Sequence, residues 1–273
     1  MLERFLTSPR TQWIFRIGWL ERLIFLVLRF LTFRFARKEE KVLDAALFGL
    51  DVSKWQGVIN FAKMFQYGVR FLILRASYAL TRDERFNDNI RPAIDFFTGK
   101  LSVYGYYNPF YDPILQANKL LEIIAPYRQF IRRVWGDFEF TNSGSYSAPL
   151  HWKRYAETII NAGYPFGVYT RKTWWDSRVG ALASWFAQFP LWAAQYAPWL
   201  TLIPRGWTKA DIWQKGTPAI GHDVGTQSLE VDYNIADDGF YAAEYQDSPE
   251  PPPTGPVLVK SIRVYSNGSI LEV

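Results

Sequence analysis

The stretch VWGDFEF, residues 134–140, decides how the rest of the chain is read. It is an apolar, strand-like run that finishes in two acids, Asp137 and Glu139, spaced two apart. Strand geometry turns both side chains to one face, with their roots about 7 Å apart. An apolar strand gains nothing from two unpaired acids on one face, so the pair reads as functional. Working outward, similar apolar runs lie at 47–52, 70–75, 101–107, 133–138, 165–170, 190–195, 210–213 and 229–233. Helix-like stretches separate the early ones, at 60–68, 86–98, 113–127, 150–162 and 173–187. Strand–helix alternation implies a parallel α/β sheet, and eight strands over about 200 residues imply closure. The expected fold is an irregular TIM-like barrel of eight strands and five helices, with the last three strands joined by loops. Such a barrel places reactive groups at the C-terminal ends of its strands. Two further runs carry acids there, Asp51 in FGLDVSKWQG and Asp232 in LEVDYN. Either acid alone is as readily a helix cap or an arginine partner; together with Asp137 and Glu139 they read as one site.

Composition narrows the chemistry. The 273 residues are 49% hydrophobic, enough for a full barrel without a disulfide or metal staple. There is no cysteine, which excludes thiol nucleophiles, disulfide frameworks and thiolate metal sites. The two histidines, His151 and His222, form no close pair of the kind zinc hydrolases use. Neither a metal nor a cofactor is expected. The formal charge of +5 is concentrated in residues 1–46, with nine Lys/Arg against five Asp/Glu. The nearly neutral remainder lacks the clustered cations of a nucleic-acid binder.

The two ends read differently from the middle. Residues 13–37 are aromatic, aliphatic and arginine-punctuated without a breaker, and the pattern predicts one long helix. Glu21, Arg22 and Arg29 interrupt any membrane-spanning core. The polar stretch that follows is not a signal-peptide cleavage site. Residues 1–46 are therefore read as an amphipathic anchor, for a membrane surface or for an assembly partner. The barrel is assigned to 47–246 and a proline-rich linker to 247–257. The final 258–273 read as a β-hairpin or partial module turning at Ser266-Asn267-Gly268.

Two carboxyl groups converging on one mouth, one kept protonated and one ionised, meet the physical requirement for glycoside hydrolysis. At this point residues 47–246 resemble glycoside hydrolase family 25, lysozymes that cut the β-1,4 bond between N-acetylmuramic acid and N-acetylglucosamine in peptidoglycan. The resemblance rests on Gly49-Leu50-Asp51-Val52-Ser53-Lys54-Trp55-Gln56-Gly57, on Gly68-Val69-Arg70-Phe71 with Leu72-Ile73-Leu74-Arg75-Ala76, and on Tyr104-Gly105-Tyr106-Tyr107. It continues through Asp137-Phe138-Glu139, Gly167-Val168-Tyr169-Thr170, Leu191-Trp192-Ala193-Ala194-Gln195-Tyr196, Trp213-Gln214 and Val231-Asp232-Tyr233-Asn234. It implies a flattened barrel of eight strands and five helices with a groove at the strand C-termini. It also implies Glu139 as general acid/base, Asp137 as its close partner, and Asp51 and Asp232 as an acidic floor. Retention with substrate assistance is one implied course; a direct role for Asp137 or Asp232 as nucleophile or base is the other.

The chain departs from the family after the third strand, where Tyr107-Asn108-Pro109-Phe110 lacks the usual histidine. It departs again at Ser77-Tyr78 and after Trp213-Gln214, changes that bear on substrate preference before activity. Tyr106, Tyr78, Tyr169, Trp192 and Tyr196 are the candidate sugar platforms, with core packing the competing reading for each. The function expected is a peptidoglycan hydrolase of bacteriolytic, endolysin-like type, acting on the cell wall outside the cytoplasm and without a clear cleavable signal peptide. A phage-tail or envelope assembly protein that keeps the barrel as a glycan-binding part is the alternative. A chitinase-like hydrolase stands third.

Overall fold

The computed structural model describes residues 46–140, 149–237, 239–241, 262–264 and 270–272. The helix expected over 13–37 and the linker expected over 247–257 lie outside them. Eight strands close into a barrel: β1 (Ala46–Val52), β2 (Phe71–Tyr78), β4 (Leu101–Tyr106), β5 (Val134–Asp137), β6 (Phe166–Thr170), β7 (Leu191–Ala194), β8 (Ile212–Ile220) and β9 (Glu230–Asp237). A two-residue β3 (Thr81–Arg82) folds back on the end of β2. Seven barrel strands run parallel to one another, and β9 runs antiparallel to both its neighbours, β8 and β1. The short strands β10 (Ile262–Val264) and β11 (Ile270–Glu272) pair antiparallel as a separate ladder. The turn expected between them lies outside the described residues.

Period-two alternation sorts the barrel residues into an inner and an outer face. Outward, Leu72, Leu74, Val103, Val134 and Val168 pack beneath α1 (Phe61–Tyr67), α2 (Phe86–Phe97), α3 (Pro113–Ile124) and α4 (Pro149–Asn161) in one large core. Inward, Phe71, Ile73, Tyr104, Trp135, Tyr169, Trp192, Ile212 and Ala236 fill the barrel itself. The large rings fit because small residues face them. A Cβ on Gly49 would lie 2.3 Å from the Phe71 ring, and one on Gly167 would lie 2.4 Å from Trp135. Tyr241, with its ring 5.1 Å from that of Phe71, closes the bottom.

Each helix follows from local chemistry. α2 buries Phe86, Ile90, Ala93, Ile94 and Phe97, the i, i+4, i+7, i+8, i+11 stripe of an amphipathic helix. α3 begins at Asp112, whose Oδ1 accepts from the N–H groups of Ile114 and Leu115 at 2.8 and 2.9 Å, with Pro113 in the first turn. Helical geometry expected to reach 127 gives way after Ile124 to a 3₁₀ stretch, Ala125–Phe130, because Pro126 has no N–H to donate to the Glu122 carbonyl one turn back. The stretch expected over 173–187 divides into α5 (Lys172–Trp175), a 3₁₀ turn (Gly180–Leu182) and α6 (Ala183–Phe186). Gly180 at φ 56° breaks it, and the break lets Trp175 and Phe186 pack against each other and Trp152.

Candidate active site

At the C-terminal end of the parallel strands a cavity of about 280 Å³ collects Asp51, Asp137, Glu139 and Asp232. β1 contributes Asp51, β5 ends on Asp137, and Glu139 follows two residues later on the same face. Asp232 arrives differently from what the sequence suggested. It is the third residue of β9, not a terminal one, and reaches the mouth because β9 runs the other way. An antiparallel strand delivers its beginning where its parallel neighbours deliver their ends.

Asp51 is held by a chain of side chains whose polarity is fixed at its Trp192 end. The Trp192 indole N–H can only donate, and it donates to Asn234 Oδ1 at 2.7 Å. Asn234 must then turn its Nδ2 to Asp51 Oδ2, at 2.8 Å. On the other side the Tyr169 hydroxyl donates to Gln214 Oε1 at 2.7 Å, and Gln214 Nε2 donates to the same Asp51 oxygen at 3.0 Å. Asp51 Oδ2 therefore accepts twice, and any proton on this carboxyl belongs on Oδ1. Arg75, on the inner face of β2, is held by Asp83 at 2.7 Å. Asp83 also accepts from the backbone N–H groups of Lys54 at 3.0 Å and Arg85 at 2.9 Å.

Four acids in one partly desolvated space hold their protons more tightly than free carboxyls. Burial, followed by the charge of Asp232, lifts Asp51 to about 7 against the pull of its two amide donors. Burial and Glu230 lift Asp232 to about 6. Asp137 is pushed well above the carboxylate range by burial and by the charges of Glu139 and Asp51, with Arg75 opposing. Glu139 is raised by burial, opposed by Arg171, and raised again by Asp232. The arrangement keeps protonated and ionised carboxyls side by side near neutrality, the condition for giving and taking one proton in a cycle.

The aromatic candidates separate by depth. Tyr106 lines the cavity, and Tyr78 stacks on it with ring centroids 5.0 Å apart and planes at 13°. Tyr196 stands at the rim, 65% exposed. Tyr169 and Trp192 are 5% and 1% exposed, packed on each other and on Tyr104 and Trp135, so they support the floor and offer no open face for stacking. Trp55, 71% exposed, is a rim residue that the sequence reading did not single out. It is presented by a 3₁₀ turn, Lys54–Gln56, in which Ser53 Oγ accepts from the Trp55 N–H and Gln56 Oε1 accepts from the Ser53 N–H. Arg75, Gln214 and Asn234 were also missed. Counting by twos along each strand from its inward core residue finds all three. Among the described residues no group of three or more His, Cys, Asp and Glu is placed to hold a metal ion.

A second cleft of about 250 Å³ adjoins the first, sharing Glu139, Tyr169 and Tyr196 and adding Arg171, Lys172, Thr173, Gln195 and Leu202. Glu139 stands where the two meet.

Known proteins carry the same architecture. The bacterial lysozyme from Streptomyces coelicolor superposes with a TM-score of 0.63 at 22% identity, over 74% of this chain and 98% of that one. A muramidase from Acremonium alcalophilum superposes with a TM-score of 0.61 at 21% identity, over 74% and 100%. Both similarities speak to the fold. In sequence the chain is 26% identical over 198 residues to Lysozyme M1 of Streptomyces globisporus, a match spanning 68% of this chain and 66% of that protein. The sequence model of Glycosyl hydrolases family 25 matches residues 50–217, which hold Asp51, Asp137, Glu139 and Gln214 but not Asp232 and Asn234 of β9. With that match over more than half its length, the chain belongs to glycosyl hydrolase family 25.

Proposed function

We propose that the chain is a muramidase that cleaves the β-1,4 bond from N-acetylmuramic acid to N-acetylglucosamine in peptidoglycan, with Glu139 as general acid and then general base. The observation that carries this reading is the convergence of four carboxyl groups with raised proton affinity on one cavity at the strand C-termini. Glu139, half-buried at the junction of the two clefts, stands where a chain lying through both would be cut. Asp137 lies deeper, and its Oδ1 is buried without a hydrogen-bond partner.

That unsatisfied acceptor favours the substrate-assisted course. The acetamido oxygen of the muramic sugar attacks its own anomeric carbon while Asp137 accepts a hydrogen bond from the acetamido N–H. Glu139 delivers its proton to the departing O4, leaving a bicyclic oxazolinium whose positive charge Asp137 stabilises. Water then adds to the anomeric carbon, giving its proton to Glu139 and restoring the acetamido group with retained configuration. Asp51, fixed by Gln214 and Asn234, and Asp232 complete the floor that sets the proton affinities. Tyr106, Tyr78, Tyr196 and Trp55 offer surfaces for sugar rings. The substrate of this reaction lies in the cell wall, outside the cytoplasm. Delivery by secretion, membrane association through residues 1–46, or a phage particle are the three routes compatible with the reading.

The test is mass spectrometry of products from purified peptidoglycan treated with the protein and with Glu139→Gln. New muramic-acid reducing ends are expected from the parent only, with the variant slower by about 10²–10⁴-fold. Absence of cleavage by a folded parent across several wall types would reject the muramidase reading in favour of a glycan-binding role.

A further inference from the structure

The second cleft contains an exposed cation that makes no ion pair among the described residues. Arg171 follows directly on β6, in phase with the inward-facing Gly167 and Tyr169, and is exposed in the cleft that also holds Glu139. Its neighbour Lys172 is occupied: Nζ donates to Asp176 Oδ2 at 2.7 Å and to the carbonyl of Ile203 at 3.0 Å, tying the start of α5 to the loop beyond β7. Among the described residues the Arg171 guanidinium makes no comparable hydrogen bond or ion pair. The remaining lining offers polar atoms beside an apolar wall, from Thr173, Gln195, Tyr196 and Leu202. Gln195 has its amide committed to the 199–202 loop, its Oε1 accepting from Thr201 and Leu202 and its Nε2 donating to Thr201 and Trp199. The wall is therefore fixed, and Arg171 is its one uncommitted charged donor among the described residues.

We infer that the Arg171 cleft recognises a carboxylate carried on a muramic residue of the glycan, making Arg171 a specificity-determining residue of this enzyme. The inference rests on the muramidase reading above. A glycan of alternating sugars that carries an acid on every second residue presents a carboxylate at a fixed repeat, and a planar guanidinium binds a carboxylate through two parallel hydrogen bonds. The carboxylate has two sources, the lactyl group itself once the stem peptide is removed, or an acidic residue of the peptide when it is present. Both are anions on the same side arm. Arg171 also acts on the proton donor, opposing the burial that raises Glu139. A bound carboxylate that neutralises Arg171 removes that opposition, so an anionic substrate leaves Glu139 more fully protonated than a neutral one does.

The experiment compares soluble glycan strands in three forms: stripped of peptide with the lactyl carboxylate free, stripped with that carboxylate converted to the methyl amide, and bearing a stem peptide with its acidic side chains amidated or free. kcat/KM is measured for the parent, Arg171→Gln and Arg171→Lys, and strand binding is measured by calorimetry in the Glu139→Gln background. The parent is expected to favour the anionic form of at least one pair by about tenfold. In Arg171→Gln that ratio falls toward one, and Arg171→Lys restores part of it. Which pair shows the preference identifies the source of the carboxylate. An equal loss on charged and neutral strands, or a preference that survives Arg171→Gln, would overturn the inference. If the parent cleaves none of the strands yet Glu139→Gln binds them with Arg171-dependent preference, the carboxylate site stands and the hydrolase reading falls.

Discussion

Asp51 shows how one carboxyl couples the chemistry of the site to the stability of the fold. Its pKa is lifted to about 7 in the native protein from an ordinary value near 4, so between those limits the folded state binds more protons than the unfolded one. Stability therefore falls as pH rises through this window and levels off above it. Replacing Asp51 by Asn removes the charge and keeps an acceptor for Gln214 or Asn234. Asp51→Asn is expected to be more stable than the parent at pH 8, by roughly 1–3 kcal/mol, and to show no gain at pH 4, as read from Tm across pH. A gain that does not change with pH would assign the effect to packing. The four acids were legible in the sequence because each follows an apolar run in which a charge has no packing purpose. The depth of the aromatics was not. Trp192 and Tyr196 are four apart, yet Trp192 lies on β7 in the floor while Tyr196, two residues past the end of that strand, lies at the rim. The position of the barrel layer separates them, and that is fixed by register between strands.

At the scale of elements, the hairpin of β2 and β3 carries more of the site than its size suggests. The chain reverses at Ala79, which takes φ 48° and donates its N–H to the Tyr106 carbonyl at 2.9 Å. A side chain in that region costs on the order of 1 kcal/mol, and the surrounding contacts hold it there. The reversal brings Asp83 back beneath Arg75, where the pair is almost completely buried, at 1% and 10% side-chain exposure. Asp83→Asn leaves a buried guanidinium without its counter-charge. We expect a loss of about 3 kcal/mol in urea unfolding, with kcat falling more than KM rises, because Arg75 faces Asp137 in the cavity. An unchanged unfolding midpoint would show that Arg75 finds another partner. The order and type of the strands could be read from the alternation of apolar runs and helical stretches. The direction of β9 could not, since a run such as LEVDYN has the same side-chain period in either sense. Its direction follows from the short connection after β8, which lets the chain turn back beside the strand it has just left.

At the scale of the whole molecule, the catalytic end and the paired strand ends at Ala46 and Asp237 are separated by the length of the barrel. The mouth lies where β1 and β5 finish, and the opposite end is closed by Phe71, Tyr241 and their neighbours. The amphipathic anchor assigned to residues 1–46 remains a proposal that activity itself can test. Deleting residues 1–40 is expected to leave muramidase kcat/KM within about twofold while abolishing association with liposomes or particles. A folded but inactive truncation would show that the segment is part of the catalytic unit. The antiparallel course of β9 bears on this directly. It pairs Asp237 with Ala46, so the chain enters the barrel and leaves its last strand side by side, at the pole farthest from the acids. A load borne by the barrel at Ala46 and at Asp237 therefore acts at one attachment point, opposite the cutting face.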